Sequence, residues 1–444
     1  MSNIKELYKN HINELNLFYS RIIEKSEIKG IIIHSGKEKY YFKDDQPIYF
    51  KAFHHFMHWI PYNEPDCFIE IIPDRKARFY YPIKEDFWYD TFQGFNEYWT
   101  DFFEIIPLKS VNELFSHIIY EGKNYAYLGD SGDLAVENGI EKDKINPDYI
   151  LYPINYNRRL KDKYELYCTE EATKTAYEGH KAARNAFYNG KSEFEINLEY
   201  LNAIKHNENE TPYPNIIAIN DKASVLHYEK RKTATPYKIH SFLIDAGTSY
   251  KAYSSDITRT YVYKDYEDSV FNELIKSMET LQKKIIAEIE PSLSYIKLHE
   301  TAHRYVADIL KEFDIVRLSP ETILEKDITS IFFPHGLGHL LGIQAHEVGG
   351  HYKNEKGEIL TPPARYPFLR LTQDIQTGHL FTIEPGFYFI DSLLQKLKTD
   401  KDLSSYVNWD LIDELKVFGG VRIEDNIYID EGETVNITRK YFDM

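Results

Sequence analysis

The sequence predicts a two-domain protein, an α/β domain over residues 1–158 followed by an α+β domain over residues 159–444. Three observations carry this expectation. At 444 residues the chain is longer than one hydrophobic core usually serves and long enough for two. Strand-like and helical patterns alternate through the first third, as they do in α/β architecture. Beyond it, strand pairs, helices and three late strand-like runs follow one another in blocks.

The elements read in order. From Asn3 to Ile28, Ile4, Leu7, Tyr8, Ile12, Leu15, Phe18, Tyr19 and Ile22 recur at amphipathic helical spacing. Strand-like runs follow at Gly30–His34, Cys67–Ile72, Arg78–Tyr81 and Tyr125–Leu128, with a helix near Val111–Tyr120. A long helical pattern then runs from Asp162 to Tyr188 and stops at Gly190, and Ser192 with Glu195 forms a capping box that opens another helix. Strand pairs are expected around 214–227 and 242–263, helices near 267–289 and 294–313, and one exposed loop over Lys353–Tyr366.

Composition narrows the function classes. Hydrophobic residues make up 43% and charged ones 28%, a globular balance. No run approaches the roughly 18 apolar residues of a membrane span. The N-terminal stretch MSNIKELYKNHINEL carries charges throughout and lacks the apolar core of a secretory signal. Two cysteines, Cys67 and Cys168, imply no disulfide framework. These points predict a cytoplasmic protein without a membrane partner. The formal charge of −17, with no dense basic stretch, argues against nucleic acid.

The chemistry concentrates late in the chain. In SFLIDAGTSYKAYSSDITRTY, Asp245 ends an apolar strand and Asp256 opens the next, so a hairpin would bring both carboxylates to one place. The spacing alone does not separate a site from two turn aspartates. In FFPHGLGHLLGIQAHEVGG, His335, His339 and His346 stand among glycines, which let backbone approach a site closely. In LFTIEPGFYFI and GGVRIEDNIYI, Glu384 and Glu424 each interrupt an otherwise apolar strand, and Arg422 shares a strand face with Glu424, where it would offset that charge.

Buried carboxylates persist mainly when paired or metal-bound. Two Asp, two Glu and one His form an oxygen-rich set suited to Mn²⁺, Co²⁺, Zn²⁺ or Fe²⁺ rather than to a thiolate metal. Two ions roughly 3.5–4 Å apart would balance the charge better than one and would generate a hydroxide nucleophile.

These motifs, in this order, resemble the metallopeptidases of the pita-bread fold, and most closely the bacterial Xaa-Pro dipeptidases, or prolidases. The likeness also runs through LYKNHI, IIIHSG, DDQP and Phe87–Trp88, so it covers nearly the whole chain. It implies a creatinase- and aminopeptidase-like pita-bread architecture for the second domain. It further implies two divalent ions per subunit, with manganese expected and cobalt or zinc as alternatives. Asp245 would bind one metal, His339 and Glu384 the other, with Asp256 and Glu424 bridging. Glu384 would shuttle a proton between the attacking water and the proline nitrogen of a trans Xaa-Pro dipeptide. His227, in SVLHY, and His346 would stabilise the oxyanion, and Arg370, in FLRLT, would hold the dipeptide carboxylate. His335 and Arg422 would support the substrate side from behind. Asp45 and Trp88 resemble residues that reach a partner subunit's pocket in relatives, which implies a homodimer.

One departure is Glu347, where many relatives carry Asp. The competing readings are an aminopeptidase P acting on longer peptides, a metal-free creatinase-like hydrolase, and a peptide-binding module that lost catalysis. Hydrolysis of organophosphorus esters would be a side activity.

Overall fold

The computed structural model describes residues 2–83, 94–120 and 124–443. The chain forms two compact units, one of residues 1–158 with 162–167 and 354–358, the other of 159–161, 168–353 and 359–444.

In the first unit, α1 (Ser2–Lys25) buries Tyr8, Ile12, Leu15, Tyr19, Ile22 and Ile23, the stripe that its 3.6-residue periodicity dictates. There follow β1 (Gly30–His34), α2 (His54–Trp59), β2 (Phe68–Ile71), β3 (Arg78–Pro82), β4 (Glu104–Leu108), α3 (Val111–Tyr120), β5 (Tyr125–Leu128), α4 (Gly132–Glu137) and α5 (Asp148–Arg158). The strands form one sheet in the order β4-β3-β2-β1-β5, with β1 parallel to β5, β3 parallel to β4, and the other pairs antiparallel. Strands β1, β2 and β5 are buried throughout, so they read as continuous runs rather than alternating ones. Glu70, inside β2, is satisfied there by Arg78 Nη1 (3.2 Å) and the hydroxyls of Tyr80 (2.7 Å) and Tyr125 (2.9 Å). Strand β4, EIIPL, was not legible because Pro107 argues against a strand. It fits because β4 stands at the sheet edge, where a missing N–H costs least.

The second unit carries most of α6 (Lys163–Tyr188), then α7 (Glu193–Ile204), β6 (Ile216–Ile219), β7 (Ser241–Asp245), β8 (Ser249–Tyr250), β9 (Tyr253–Ser254), β10 (Thr258–Val262), α8 (Val270–Ala287) and α9 (Tyr295–Glu312). After α10 (Pro320–Glu325) and α11 (Thr329–Phe332) come β11 (Leu380–Ile383), β12 (Gly386–Tyr388), α12 (Asp391–Thr399), α13 (Trp409–Leu415), β13 (Gly420–Arg422), β14 (Asp425–Asp430), β15 (Glu433–Asn436) and α14 (Arg439–Phe442). The strands pair as β10-β7-β6, β11-β14-β15 and β12-β13. The apolar faces of α8 and α9 pack with Phe381, Ile383, Phe387, Val421 and Ile427 into one large core cluster.

The expected strand pair at 214–227 is corrected. Only β6 is a strand, and residues 220–227 form a 3₁₀ segment and a turn. Asn220 stops the strand: its backbone is left-handed (φ 61°), its Nδ2 donates to Lys238 O (2.7 Å), and its Oδ1 accepts from His240 N (2.7 Å). No helix of the described residues is long and apolar enough to cross a membrane.

Candidate metal centre

The antiparallel register of β7 and β10 sets Asp245 opposite Thr258. Asp256 therefore lies two residues before β10, in irregular backbone rather than at the strand opening. The connection crosses itself closely. A Cβ on Gly247 would lie 2.0 Å from Ser255 O, so only glycine lets Ser255 N donate to Thr248 O (3.0 Å).

Glu384 and Glu424 sit at breaks between strands, β11/β12 and β13/β14, and not inside continuous strands as the sequence suggests. Each break frees the backbone from the two-residue alternation and lets the carboxylate leave the sheet face. The Glu424 N–H donates to Thr258 O (3.0 Å), and its Oε2 accepts from the Thr258 hydroxyl (2.7 Å). Glu384 N donates to Leu337 O (2.8 Å), which ties the second break to the glycine-rich loop.

That loop positions His339. Its N–H donates to Thr382 Oγ1 (3.2 Å) and its carbonyl accepts from Thr382 N (2.9 Å). The Nδ1–H donates to Leu340 O (3.0 Å), so Nε2 is the ring nitrogen left to face the carboxylates, 3.5 Å from Asp256 Oδ2 and 3.5 Å from Glu384 Oε1. Gly338 permits this approach, because a Cβ there would meet Thr382 O at 2.1 Å.

Ligand atoms of Asp256, His339 and Glu424 all lie within 4.8 Å of one another, and all three residues are buried. Asp245 accepts from Arg422 Nη2 (2.7 Å) through Oδ2, while its Oδ1 is buried and accepts no hydrogen bond among the described residues. Burial, and then the Asp245 charge, push the Asp256 carboxyl well above its usual range. Burial and then Asp256 do the same to Glu424, and burial and then Glu424 to Glu384. Burial pushes His339 down despite the Glu384 charge beside it, which favours the neutral, ligating form. The set thus crowds four carboxylates and one neutral imidazole around an oxygen atom that lacks a partner. A divalent cation fits this donor set, because it would relieve the repulsion and satisfy Asp245 Oδ1.

Around the ligands, Arg422 is buried and fully engaged: Nη2 on Asp245, Nη1 on the Tyr388 hydroxyl (2.9 Å) and Nε on Thr258 Oγ1 (3.2 Å). Its charge does offset that of Glu424, as the sequence suggests, while its direct ion pair is made with Asp245. His335 donates Nδ1–H to Gly336 O (2.8 Å) and accepts from Tyr388 at Nε2 (2.9 Å), so a chain runs from Arg422 through Tyr388 to His335. Burial and Arg422 push His335 down to about 3, so it is neutral.

His346 is exposed, with its ring edge-on to His339 at 4.4 Å between centroids. Arg370 and His227 are also exposed, His227 in the turn after the 3₁₀ segment. Desolvation of the ring, then the neighbouring His339 and Arg370, push the His346 imidazole down to about 3. Asp45 lies in an exposed loop of the first unit, and Trp88 falls outside the described residues. Glu347 is buried, accepting from Ile343 N (3.0 Å) and Val348 N (2.9 Å), so the longer acid braces the loop that carries His346.

Sequence reasoning missed Tyr213, whose hydroxyl donates to Asp256 Oδ1 (2.5 Å), and Tyr388 and Thr258. Thr258 shares strand parity with Asp256, which was its one signal. Tyr213, between prolines, gave none.

The comparisons agree with this geometry. Residues 167–431 match the model of metallopeptidase family M24, and residues 6–156 match that of the Xaa-Pro dipeptidase N-terminal domain. The Xaa-Pro dipeptidase of Pseudoalteromonas atlantica is 40% identical over 441 residues, and that of Shewanella amazonensis 42% over 442, each covering 99% of both chains. Among solved structures, Pseudomonas aeruginosa aminopeptidase PepP superposes with TM-score 0.72 at 18% identity, and zinc-substituted Escherichia coli aminopeptidase P with 0.71 at 19%. Both cover 98% of this chain and 95% of the other. Fold and site together define a metal-dependent peptidase of pita-bread architecture. The chain belongs to metallopeptidase family M24.

Proposed function

We propose that the protein hydrolyses Xaa-Pro dipeptides with a trans imide bond, using two divalent ions, with manganese the preferred metal, as a cytoplasmic homodimer. The observation that carries this is the convergence of Asp256, His339 and Glu424 beside the unpartnered Asp245 Oδ1. The whole-chain likeness to Xaa-Pro dipeptidases supports the choice of substrate. In this reading residues 159–444 form the catalytic domain and 1–158 the accessory one.

When bound, the ions lower the pKa of a water and polarise the scissile carbonyl. Asp245 would hold one ion, His339 and Glu384 the other, and Asp256 with Glu424 would be shared between them. Glu384 takes the proton of the attacking water and returns it to the imide nitrogen, which has no hydrogen of its own and must be protonated to leave. His346 and His227, at the open side of the centre, donate hydrogen bonds to the oxyanion. Arg370 grips the substrate carboxylate with its planar fork. His335, Tyr388 and Arg422 keep Asp245 oriented.

The test is to strip the protein with a chelator, restore each metal in turn, and assay Xaa-Pro dipeptides against Xaa-Pro-Yaa tripeptides. Metal-dependent cleavage of the dipeptides alone is expected. Comparable cleavage of tripeptides would identify an aminopeptidase instead, and full activity after chelation would sink the metal reading. Organophosphorus triesters in the same assay test the side activity.

A further inference from the structure

The face of the site strand opposite the ligands is wired to the C-terminus. Glu424 closes the break before β14 and Asp425 opens the strand, and their side chains have separate partners: Glu424 takes the Thr258 hydroxyl, Asp425 a set of groups on the other side. Glu424 turns to the metal centre, while Asp425, fully buried, accepts from Arg259 Nη2 (2.7 Å), Arg439 Nε (2.9 Å) and Asn436 Nδ2 (2.8 Å). Arg259 does more than pair with it. Its Nη1 donates to Thr258 O (2.8 Å) and Glu424 O (2.7 Å), and its guanidinium lies 4.4 Å from the Phe442 ring centre in α14. One planar group thus grips carbonyls on both sides of the isolated bridge Thr258–Glu424, one of the contacts that join the hairpin carrying Asp256 to the break carrying Glu424. Asn426 adds a second tie, since its Oδ1 accepts from Asp256 N (3.3 Å) and its N donates to Thr438 Oγ1 (2.9 Å).

We propose that Arg259 is a positioning residue for the metal centre, locked by Asp425 and by the C-terminal turn Arg439–Phe442, and that this lock sets the spacing of Asp256 and Glu424. It rests on the two-metal reading above. A shift of the bridge along the strands would separate the two shared carboxylates, and only a guanidinium fork reaches both carbonyls and the carboxylate at once. The turn Arg439–Phe442 is therefore part of what spaces the residues that would hold the metals.

The test uses the full chain with Arg259→Lys, Arg439→Gln and Phe442→Leu. Manganese is titrated calorimetrically into chelated protein, kcat and KM are measured on an Xaa-Pro dipeptide, and the unfolding temperature of the metal-free form is recorded. Arg259→Lys should weaken both binding steps together by roughly 10–100-fold, the range for groups that orient ligands, and lower kcat with KM little changed. Phe442→Leu keeps the apolar contact and removes the aromatic face, so a smaller loss in the same direction is expected, and it decides the matter where Arg259→Lys fails to fold. Folded variants with lower unfolding temperatures but unchanged manganese affinity and kcat overturn the proposal. Wild-type protein that binds none of manganese, cobalt or zinc would overturn the two-metal reading instead, which separates the two failures.

Discussion

Asp245 divides its two oxygens between a guanidinium and nothing: Oδ2 is held by Arg422, and Oδ1 is buried without a hydrogen bond among the described residues. Such an atom costs free energy unless a cation meets it. If Asp256 and Glu424 bridge two ions, Asp256→Asn or Glu424→Gln should release both, whereas His339→Ala should release chiefly one. Metal content after dialysis reads this, and equal losses in all three would refute the partition. Activity should fall in each by more than the roughly 10–100-fold typical of residues behind the ligands. Tyr388 makes a different prediction. Its hydroxyl links Arg422 Nη1 to His335 Nε2, so Tyr388→Phe leaves the buried Arg422 Nη1 and the half-buried His335 Nε2 unpaired and should cost roughly 1–3 kcal/mol in denaturant unfolding. An unchanged midpoint would show that water replaces the hydroxyl.

Elements are placed by a few local devices. Ser192 accepts from Glu195 N (3.3 Å) while Glu195 accepts from Ser192 N (2.9 Å), the reciprocal box that opens α7. Ser192→Ala should cost about 1 kcal/mol, measured by thermal unfolding. Gly338 acts between elements: it lets the histidine loop lie against β11, with Thr382 O where a Cβ would be. Gly338→Ala must push this backbone apart. It should cost roughly 1–3 kcal/mol and displace His339, so metal affinity falls as well. Unaltered manganese binding by a folded Gly338→Ala variant would contradict that placement. The capping box was legible because it is local, three residues apart. The 3₁₀ segment after β6 was not, since it depends on Asn220 reaching Lys238 and His240 some twenty residues later.

Over the whole molecule, ionisable groups join segments distant in sequence. Within the first unit, His11 Nδ1 donates to Asp162 Oδ2 (2.5 Å) and Nε2 donates to His58 O (2.8 Å), so the ring carries both protons. Burial alone would lower its pKa, but the Asp162 carboxylate outweighs burial and raises it from 6.5 to about 9. Because the folded value is the higher, His11 stabilises fully below about pH 6.5, and that stability is lost as pH rises through about 9. The shift corresponds to roughly 3 kcal/mol at 1.36 kcal/mol per unit. Unfolding of the first unit should therefore become easier between pH 7 and 10, and His11→Gln should be less stable at pH 6 and nearly flat over that range. A persistent alkaline slope in His11→Gln would assign it to other groups.

The sequence by itself determined the class of each domain, the long helices and the capping box, and singled out five candidate ligands, because these follow from periodicity, local hydrogen bonds and motif chemistry. Tertiary structure decided what lies around the ligands. Strand breaks, not strands, aim Glu384 and Glu424, since two-residue alternation would otherwise have fixed their faces. Arg422 pairs with Asp245 rather than with its sequence neighbour Glu424, because β7 and β13 meet in space and a guanidinium reaches across. The edge position of β4, the tyrosine on Asp256 and the C-terminal lock on Arg259 depend on contacts between residues up to about 180 positions apart. Such partners leave no period in the chain, and only the closed fold brings them together.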